Sequence, residues 1–319
     1  MFLTVFLLII GLAILVFGAE MLVRGSASLA KIMGIPSLVI GLTVVAFGTS
    51  MPELTVNIFS ALKGTADIAI GNIIGSNIFN ILLILGISAA IVPLKVKSST
   101  VRKEIPLALL AMVLLFLLTN DVFFNKASFN ALDRTDSFAF IGFFIIFLYY
   151  VFELSKSGPV GKTEEIKTYS FPLSGTLTLA GLVFLFFGGK LLVEQAIILA
   201  KMLGISQSLI GLTIVAAGTS LPELATSVAA AVHHYDDIAI GNIVGSNIFN
   251  VFFVLGVTGI ILPLPFNPQA NMDVMVGIVA TFLLFLAMFI GTRHKLDRWQ
   301  GILFVLLYFA YIIYLVQRG

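Results

Sequence analysis

Glu53 and Glu223 each end a Gly-Thr-Ser-x-Pro-Glu segment, 48–53 and 218–223, and each falls near the middle of a long apolar stretch, 37–62 and 207–231. A charge at the centre of a membrane span costs about 2.5 to 3.5 kcal/mol on insertion scales, so such residues mark ion or proton pathways. No Lys or Arg lies nearby in sequence to neutralise either one. The structural alternative is a protonated, hydrogen-bonded Glu or a salt bridge to another helix. Pro52 and Pro222 have no N–H and clash with the carbonyl four residues earlier, at Gly48 and Gly218. The neighbouring carbonyls of Ala46, Thr49, Ala216 and Thr219 are expected to be loosened as well. Irregular backbone at membrane depth is tolerated only where it is buried in protein or lines a cavity. Carbonyls, the hydroxyls of Thr49, Ser50, Thr219 and Ser220, and a carboxylate from each segment would make a cage of oxygen atoms alone.

The next apolar stretch in each half brings a second polar run, Gly71 to Asn80 and its copy Gly241 to Asn250. On a helix, Asn72, Ser76 and Asn80 share one face, as do Asn242, Ser246 and Asn250. Asn77 and Asn247 lie about a third of a turn away. Asn72, Asn77, Asn242 and Asn247 read equally as ligands or as interhelical hydrogen-bond glue, whereas Ser76, Asn80, Ser246 and Asn250 read more readily as ligands. Gly71 and Gly75, like Gly241 and Gly245, are small-residue pairs that let helices approach closely. Hard oxygen donors with two carboxylates suit Ca²⁺, which takes six to eight oxygens. Hydroxyls and carbonyls equally hold Na⁺. Competition of one divalent and several monovalent ions for the same pair of charges would yield exchange.

The elements that position these groups follow from composition. Of 319 residues 59% are hydrophobic and 11% charged, against about 25% charged in a soluble domain. The chain is an integral membrane protein whose partner is the lipid bilayer. A net charge of +2 gives no support to a nucleic-acid partner, and the absence of cysteine excludes disulfides, thiolate metal sites and Cys nucleophiles. His233, His234 and His294 fall in expected loops. Ten apolar spans are expected, at 2–23, 37–62, 69–92, 104–120, 138–153, 172–193, 207–231, 239–263, 271–291 and 299–316. The first lacks the basic n-region of a signal sequence.

Adding 170 to a residue number superimposes 34–94 on 204–264 without a gap, with 33 of 61 positions identical. Gly11, Phe17, Gly18, Leu22, Val23 and Lys31 likewise meet Gly181, Phe187, Gly188, Leu192, Val193 and Lys201. Each half holds five spans, an odd number, so the second must enter the membrane from the opposite side. Inverted repeats of this kind characterise secondary transporters with a site at the midplane. The expected organisation is a first repeat at 1–153, a cytoplasmic linker at 154–171 and a second repeat at 172–319. Twelve Lys and Arg residues fall on the linker's side and six on the other, which places both termini outside a plasma membrane.

The paired GTSxPE and GNxxGSNxxN segments resemble the two alpha repeats of the calcium/cation antiporter superfamily, most closely its Na⁺/Ca²⁺ exchanger branch with compact prokaryotic members. The resemblance spans essentially the whole chain. It implies an all-α fold of ten transmembrane helices in two inverted five-helix sets, broken at the midplane. It further implies alternating access, commonly three Na⁺ for one Ca²⁺, with the first helix of each repeat sliding over a core formed by the other eight. By that resemblance Glu53 and Glu223 match the shared Ca²⁺ and Na⁺ carboxylates. Thr49 and Thr219 match ligands through carbonyl and hydroxyl; Ser50, Ser220, Ser76 and Ser246 match flanking Na⁺ ligands; Ala46 and Ala216 contribute carbonyls; Asn80 and Asn250 complete the set.

Potassium-dependent exchangers and some prokaryotic members carry Asp where this chain has Asn250, so Asn in both repeats speaks against K⁺ co-transport. The proton-coupled branch usually shows GNAxE in place of GTSxPE. Cation/H⁺ exchange and K⁺-dependent exchange are the alternatives in this class. A passive cation channel is the alternative outside it, and would conduct without a counter-ion. No base and nucleophile pair marks an enzyme, no cofactor beyond the transported ions is implied, and no obligate protein partner is evident. The linker is too short for the Ca²⁺-sensing domains of larger animal exchangers. Glu20 with Arg24 and Lys190 with Glu194 read as stabilising i, i+4 pairs, and His233, His234, Asp236 and Asp237 as a solvated loop.

Overall fold

The computed structural model describes residues 2–124, 126–156, 167–202 and 216–318. Most of the linker expected at 154–171 and the opening of the span expected at 207–231 therefore lie outside the described residues. In the first half, α1 runs over Phe2–Met33, α2 over Ser37–Thr49, α3 over Met51–Leu62 and α4 over Ala66–Ile91. A two-residue strand β1 (Leu94–Lys95) leads to α5 (Ser98–Arg102), α6 (Glu104–Leu118), α7 (Asp121–Phe124), strand β2 (Ala131–Leu132) and α8 (Arg134–Ser155). The second half repeats the order with α9 (Phe171–Met202), α10 (Ala216–Thr219), α11 (Leu221–Val232), α12 (Asp236–Ile261), β3 (Leu264–Pro265), α13 (Asn271–Ala287), β4 (Lys295–Leu296) and α14 (Arg298–Arg318). Among the described residues seven helices are long and apolar enough to cross a membrane, or eight if the bent pair α2 and α3 is one span.

The molecule is a multi-pass membrane protein with its polarity arranged accordingly. Phe17, Phe187, Ile145, Phe152, Leu306 and Phe309 stand on the outside, while Glu53, Asn57, Asn77, Asn80, Glu223, Asn242 and Asn250 are buried. In water that would be inside out. In lipid, where apolar surface gains nothing by burial, helices associate through close packing and polar contacts instead.

Close packing is carried by small residues. A Cβ placed on Gly18 would lie 2.8 Å from the Leu185 backbone nitrogen, one on Gly181 2.5 Å from that of Leu22, and one on Gly188 2.6 Å from that of Leu15. Gly11 and Gly25 meet the backbone of Leu192 and Thr178 at similar distances. Repeated every seven residues, these glycines bring α1 and α9 together backbone to backbone. The contact continues beyond the span expected at 2–23, since Ser28 Oγ lies 2.8 Å from Ser174 Oγ and accepts the Tyr169 N–H. This packing keeps Arg24 to Met33 helical, where sequence polarity suggested a loop.

The halves interlock. The last helix α14 packs on α4, with Gly301 against the Gly86 carbonyl, and α8 packs on α12, with Ser137 against Gly259 and Phe144 edge-on to Phe249 at 4.8 Å. Two-residue antiparallel ladders follow the same exchange: β1 pairs with β4, and β2 with β3. These ladders are the departure from an all-α expectation. They follow the ends of α4 and α12, where two residues of extended chain pair with the other half.

Gln300, 2% exposed at the start of α14, caps the end of α13. Its Nε2 donates to the Ala287 and Ile290 carbonyls at 3.0 and 2.9 Å, and its Oε1 accepts the Asp297 N–H. Gln300→Leu strands these groups, each costing about 1–3 kcal/mol when buried. The expected outcome is a lower apparent unfolding temperature of the purified protein, with unchanged behaviour on size exclusion.

Candidate cation site

Pro52 and Pro222 sit in the first turn of α3 and α11, and the chain bends just before each. Ser50 adopts φ −85° and ψ 5°, Ser220 φ −91° and ψ 7°, and α2 and α3 diverge by 43°. Glu53 and Glu223 thereby fall in the first turn of a helix, where the helix dipole presents roughly half a positive charge and steadies a carboxylate. Both are buried, at 0% and 1% exposure.

The backbone differs in detail from expectation. The Ala46 carbonyl, expected to be loosened from the ladder, accepts the Ser50 N–H at 3.0 Å, because the break falls at Ser50 and the last turn of α2 closes first. In the second half the Ser220 N–H reaches Ala217 instead, one residue nearer than Ala216, at 3.2 Å. The Gly48 and Gly218 carbonyls face prolines, which have no N–H to offer.

The two halves meet at these breaks. Ser50 Oγ donates to Glu223 Oε1 and Ser220 Oγ to Glu53 Oε1, both at 3.1 Å. Ser76 Oγ lies 3.0 Å from Ser220 Oγ and 3.4 Å from Glu53 Oε1. Thr49 Oγ1 donates to Asn242 Oδ1 at 3.1 Å, and Thr219 Oγ1 to Asn72 Oδ1 at 3.2 Å. Asn80 Nδ2 donates to Asn247 Oδ1, and Asn250 Nδ2 to Asn77 Oδ1, each at 2.9 Å. In α4 and α12 wider π-helical turns over Phe79–Ile84 and Phe249–Leu255 hold these last two asparagines. Such turns recur at functional positions in helices. Along α12, Gly241 and Gly245 abut Gly41, Leu42 and Ala46 of α2, as their small-residue spacing anticipates.

Buried oxygens remain over. Among the described residues Glu53 Oε2, Glu223 Oε2, Asn80 Oδ1, Asn250 Oδ1 and Ser246 Oγ are buried without a hydrogen-bond partner. Buried polar atoms in folded proteins are nearly always paired. Ion pairs occur elsewhere, at Glu20 with Arg24 and His233, Lys97 with Asp237, Lys156 with Glu153, Lys190 with Glu194, Lys295 with Asp297, and Arg318 with Asp273; among the described residues none reaches Glu53 or Glu223. Two buried carboxylates without a basic partner require cations or protons for neutrality. The leftover carboxylate, amide and hydroxyl oxygens are what a hard cation takes as ligands.

Sequence reasoning left open which asparagines serve as glue: Asn72, Asn77, Asn242 and Asn247 all bond across the halves. It missed two groups. Asn57 and Ser227 extend the network behind Asn72 and Asn242, and their only sequence signal is a polar residue one helical turn after each glutamate. Glu104, fully buried at the start of α6, accepts the Tyr150 hydroxyl and stands apart from the site. His233, read as part of a solvated loop, places Nε2 2.8 Å from Glu20 Oε2 on α1.

The family described as sodium/calcium exchanger protein matches residues 3–153 and again 173–317. The chain is 32% identical over 346 residues to the sodium/calcium exchanger MaX1 of Methanosarcina acetivorans, covering 97% of each. It is 35% identical over 279 residues to the inner membrane protein YrbG of Escherichia coli, covering 85% of this chain and 83% of that one. Among solved structures, the sodium-calcium exchanger NCX_Mj soaked with 10 mM Na⁺ and zero Ca²⁺ superimposes with a TM-score of 0.83 at 33% identity, covering 98% of both chains.

Proposed function

The chain belongs to the sodium/calcium exchanger family, and from that premise we propose that it is a Na⁺-driven Ca²⁺ antiporter working by alternating access around Glu53 and Glu223. The supporting observation is the set of buried oxygens without donors between two carboxylates that have no basic partner among the described residues. Two carboxylates neutralise one Ca²⁺ or two Na⁺. A third Na⁺ would leave one net charge, which polar ligands and the membrane potential can accommodate, so several Na⁺ move per Ca²⁺. Ca²⁺ is held between Glu53 and Glu223 with the carbonyl and hydroxyl oxygens of Thr49 and Thr219. Ser50, Ser76, Ser220 and Ser246, with the Ala46 and Ala216 carbonyls, serve the flanking Na⁺ positions, and Asn80 and Asn250 close the ring. Asn at both of these last positions supplies no third carboxylate, and transport is independent of K⁺.

The proposed architecture is two inverted repeats of five spans, 1–153 and 172–319, joined by a cytoplasmic linker in a plasma membrane, with both termini outside. α1 and α9, tied together by their glycines, move as one body against the remaining helices and open the site to one side at a time. In proteoliposomes with Na⁺, K⁺ and H⁺ gradients imposed separately, uptake of radiolabelled Ca²⁺ is expected to follow the Na⁺ gradient and ignore K⁺. Uptake that tracks pH instead identifies a cation/H⁺ exchanger, uptake that needs K⁺ a K⁺-dependent one, and uptake without a counter-ion a channel.

A further inference from the structure

Each hydroxyl or amide oxygen that faces the site belongs to a group able to turn a hydrogen toward it instead. A threonine hydroxyl carries one hydrogen and two lone pairs, and an asparagine amide carries two donors beside its oxygen. A cation needs the oxygen. We propose that Asn72, Asn77, Asn242 and Asn247 are positioning residues that hold this polarity, each acting on a ligand of the opposite half. The proposal rests on the cation site described above.

For Asn77 and Asn247 the polarity is anchored in backbone carbonyls, which only accept. Asn247 Nδ2 donates to the Asn77 carbonyl, and Asn77 Nδ2 to the Asn247 carbonyl, both at 3.3 Å. Their Oδ1 atoms must therefore face Asn80 and Asn250, which answer with Nδ2 at 2.9 Å. With Nδ2 engaged, the buried Oδ1 of Asn80 and of Asn250 is the atom left for an ion. Asn77 Nδ2 also lies 3.3 Å from Met112 Sδ, a weak acceptor that leaves the assignment unchanged.

The threonines follow the same logic. Asn242 Nδ2 donates to the Glu223 carbonyl at 3.4 Å and to Ser227 Oγ at 2.9 Å, so its Oδ1 faces Thr49 and takes the hydroxyl hydrogen. Among the described residues Thr49 Oγ1 has competing acceptors in the Ala46 carbonyl at 3.4 Å and the Glu223 carboxylate. Without Asn242 the hydroxyl turns to one of these, and its lone pairs leave their direction. In the other half Asn72 Nδ2 donates to Asn57 Oδ1 at 2.9 Å while its Oδ1 accepts from Thr219. The two halves thus reach one arrangement with different anchors, Asn57 in the first and Ser227 in the second.

The test is a double-mutant cycle on the full chain, read two ways: the half-saturating Ca²⁺ for Na⁺-driven uptake, and the Ca²⁺-dependent rise in unfolding temperature of detergent-purified protein. Asn242→Ala should raise half-saturating Ca²⁺ by about 10- to 100-fold, the usual range when an outer partner of a metal ligand is removed. Thr49→Val alone should also weaken Ca²⁺. In the Thr49→Val background Asn242→Ala should then add less than about 2-fold, because its target hydroxyl is gone. Asn247→Ala with Asn80→Ala should behave alike. Where Asn242→Ala does not fold, Asn242→Ser, too short to reach Thr49, replaces it.

Equal effects of Asn242→Ala in both backgrounds would overturn the proposal, because they would show a structural role that does not pass through the ligand. A Ca²⁺ response that survives Glu223→Gln would overturn the underlying site instead. Loss of the response in Glu223→Gln together with an additive cycle overturns the positioning role alone.

Discussion

Replacing either Glu53 or Glu223 with Gln is expected to abolish Na⁺-gradient-driven Ca²⁺ uptake while the protein still folds. Glutamine keeps the length and one oxygen of the side chain, so packing at these buried positions changes little. What is lost is half of the negative charge that balances a divalent ion, at a depth where no other charge among the described residues can substitute. Removing one partner of a buried charge pair costs about 2–5 kcal/mol, or about 30-fold to several thousandfold in affinity at 1.4 kcal/mol per decade. Stability without Ca²⁺ should hold or rise, since one of two neighbouring like charges is gone. Undiminished uptake in both variants would remove the site from these glutamates.

The second large effect is expected at the α1 and α9 contact. Gly18→Leu and Gly181→Leu each push a side chain into backbone atoms that lie 2.8 and 2.5 Å from the position of a Cβ. Main chain cannot rotate away as a flexible side chain does, so the helices must separate along several turns. Overpacking a well-packed interface costs about 1–3 kcal/mol, occasionally more, and here the register of the whole pair shifts. Exchange should fall to background and the apparent unfolding temperature should drop. Gly175→Leu, in α9 but with nothing among the described residues within 4 Å of its Cβ, should leave both unchanged. Equal behaviour of the three variants would show that close approach at these glycines is not required.

Much of the site was legible because its signals are local and occur twice. A glutamate in an apolar run, a proline one residue before it and polar residues spaced by four are all features of a single segment. Duplication in register ties the two segments into one candidate site. What escaped was decided between segments. The Ala46 carbonyl stays in the helix because the chain breaks at Ser50 rather than one turn earlier, a matter of local backbone angles that Pro52 alone does not set. His233 binds Glu20 across 213 residues, and nothing near either one announces the other. The length of α1 was underestimated because Arg24, Ser26, Ser28 and Lys31 look like a loop, yet the buried face of that segment lies against α9. For Asn72 and Asn242 the spacing identified the face, but only the partner atoms distinguish an ion ligand from a residue that turns one.

The two small ladders carry a consequence for how the protein is made. Leu94 of β1 pairs with Leu296, about 200 residues later, and Ser220 reaches Glu53 across 167 residues. Ribosomes add about 5–20 residues per second, so roughly 10 to 40 s separate the appearance of β1 from that of its partner strand. Until residues 219–250 follow, the newly inserted first half holds a carboxylate and a row of asparagines in the bilayer without the groups that will satisfy them. Biogenesis thus has no finished intermediate at the halfway point. The early helices must be sheltered, by lipid headgroups, water or the insertion machinery, until α11 and α12 arrive and the two breaks close together.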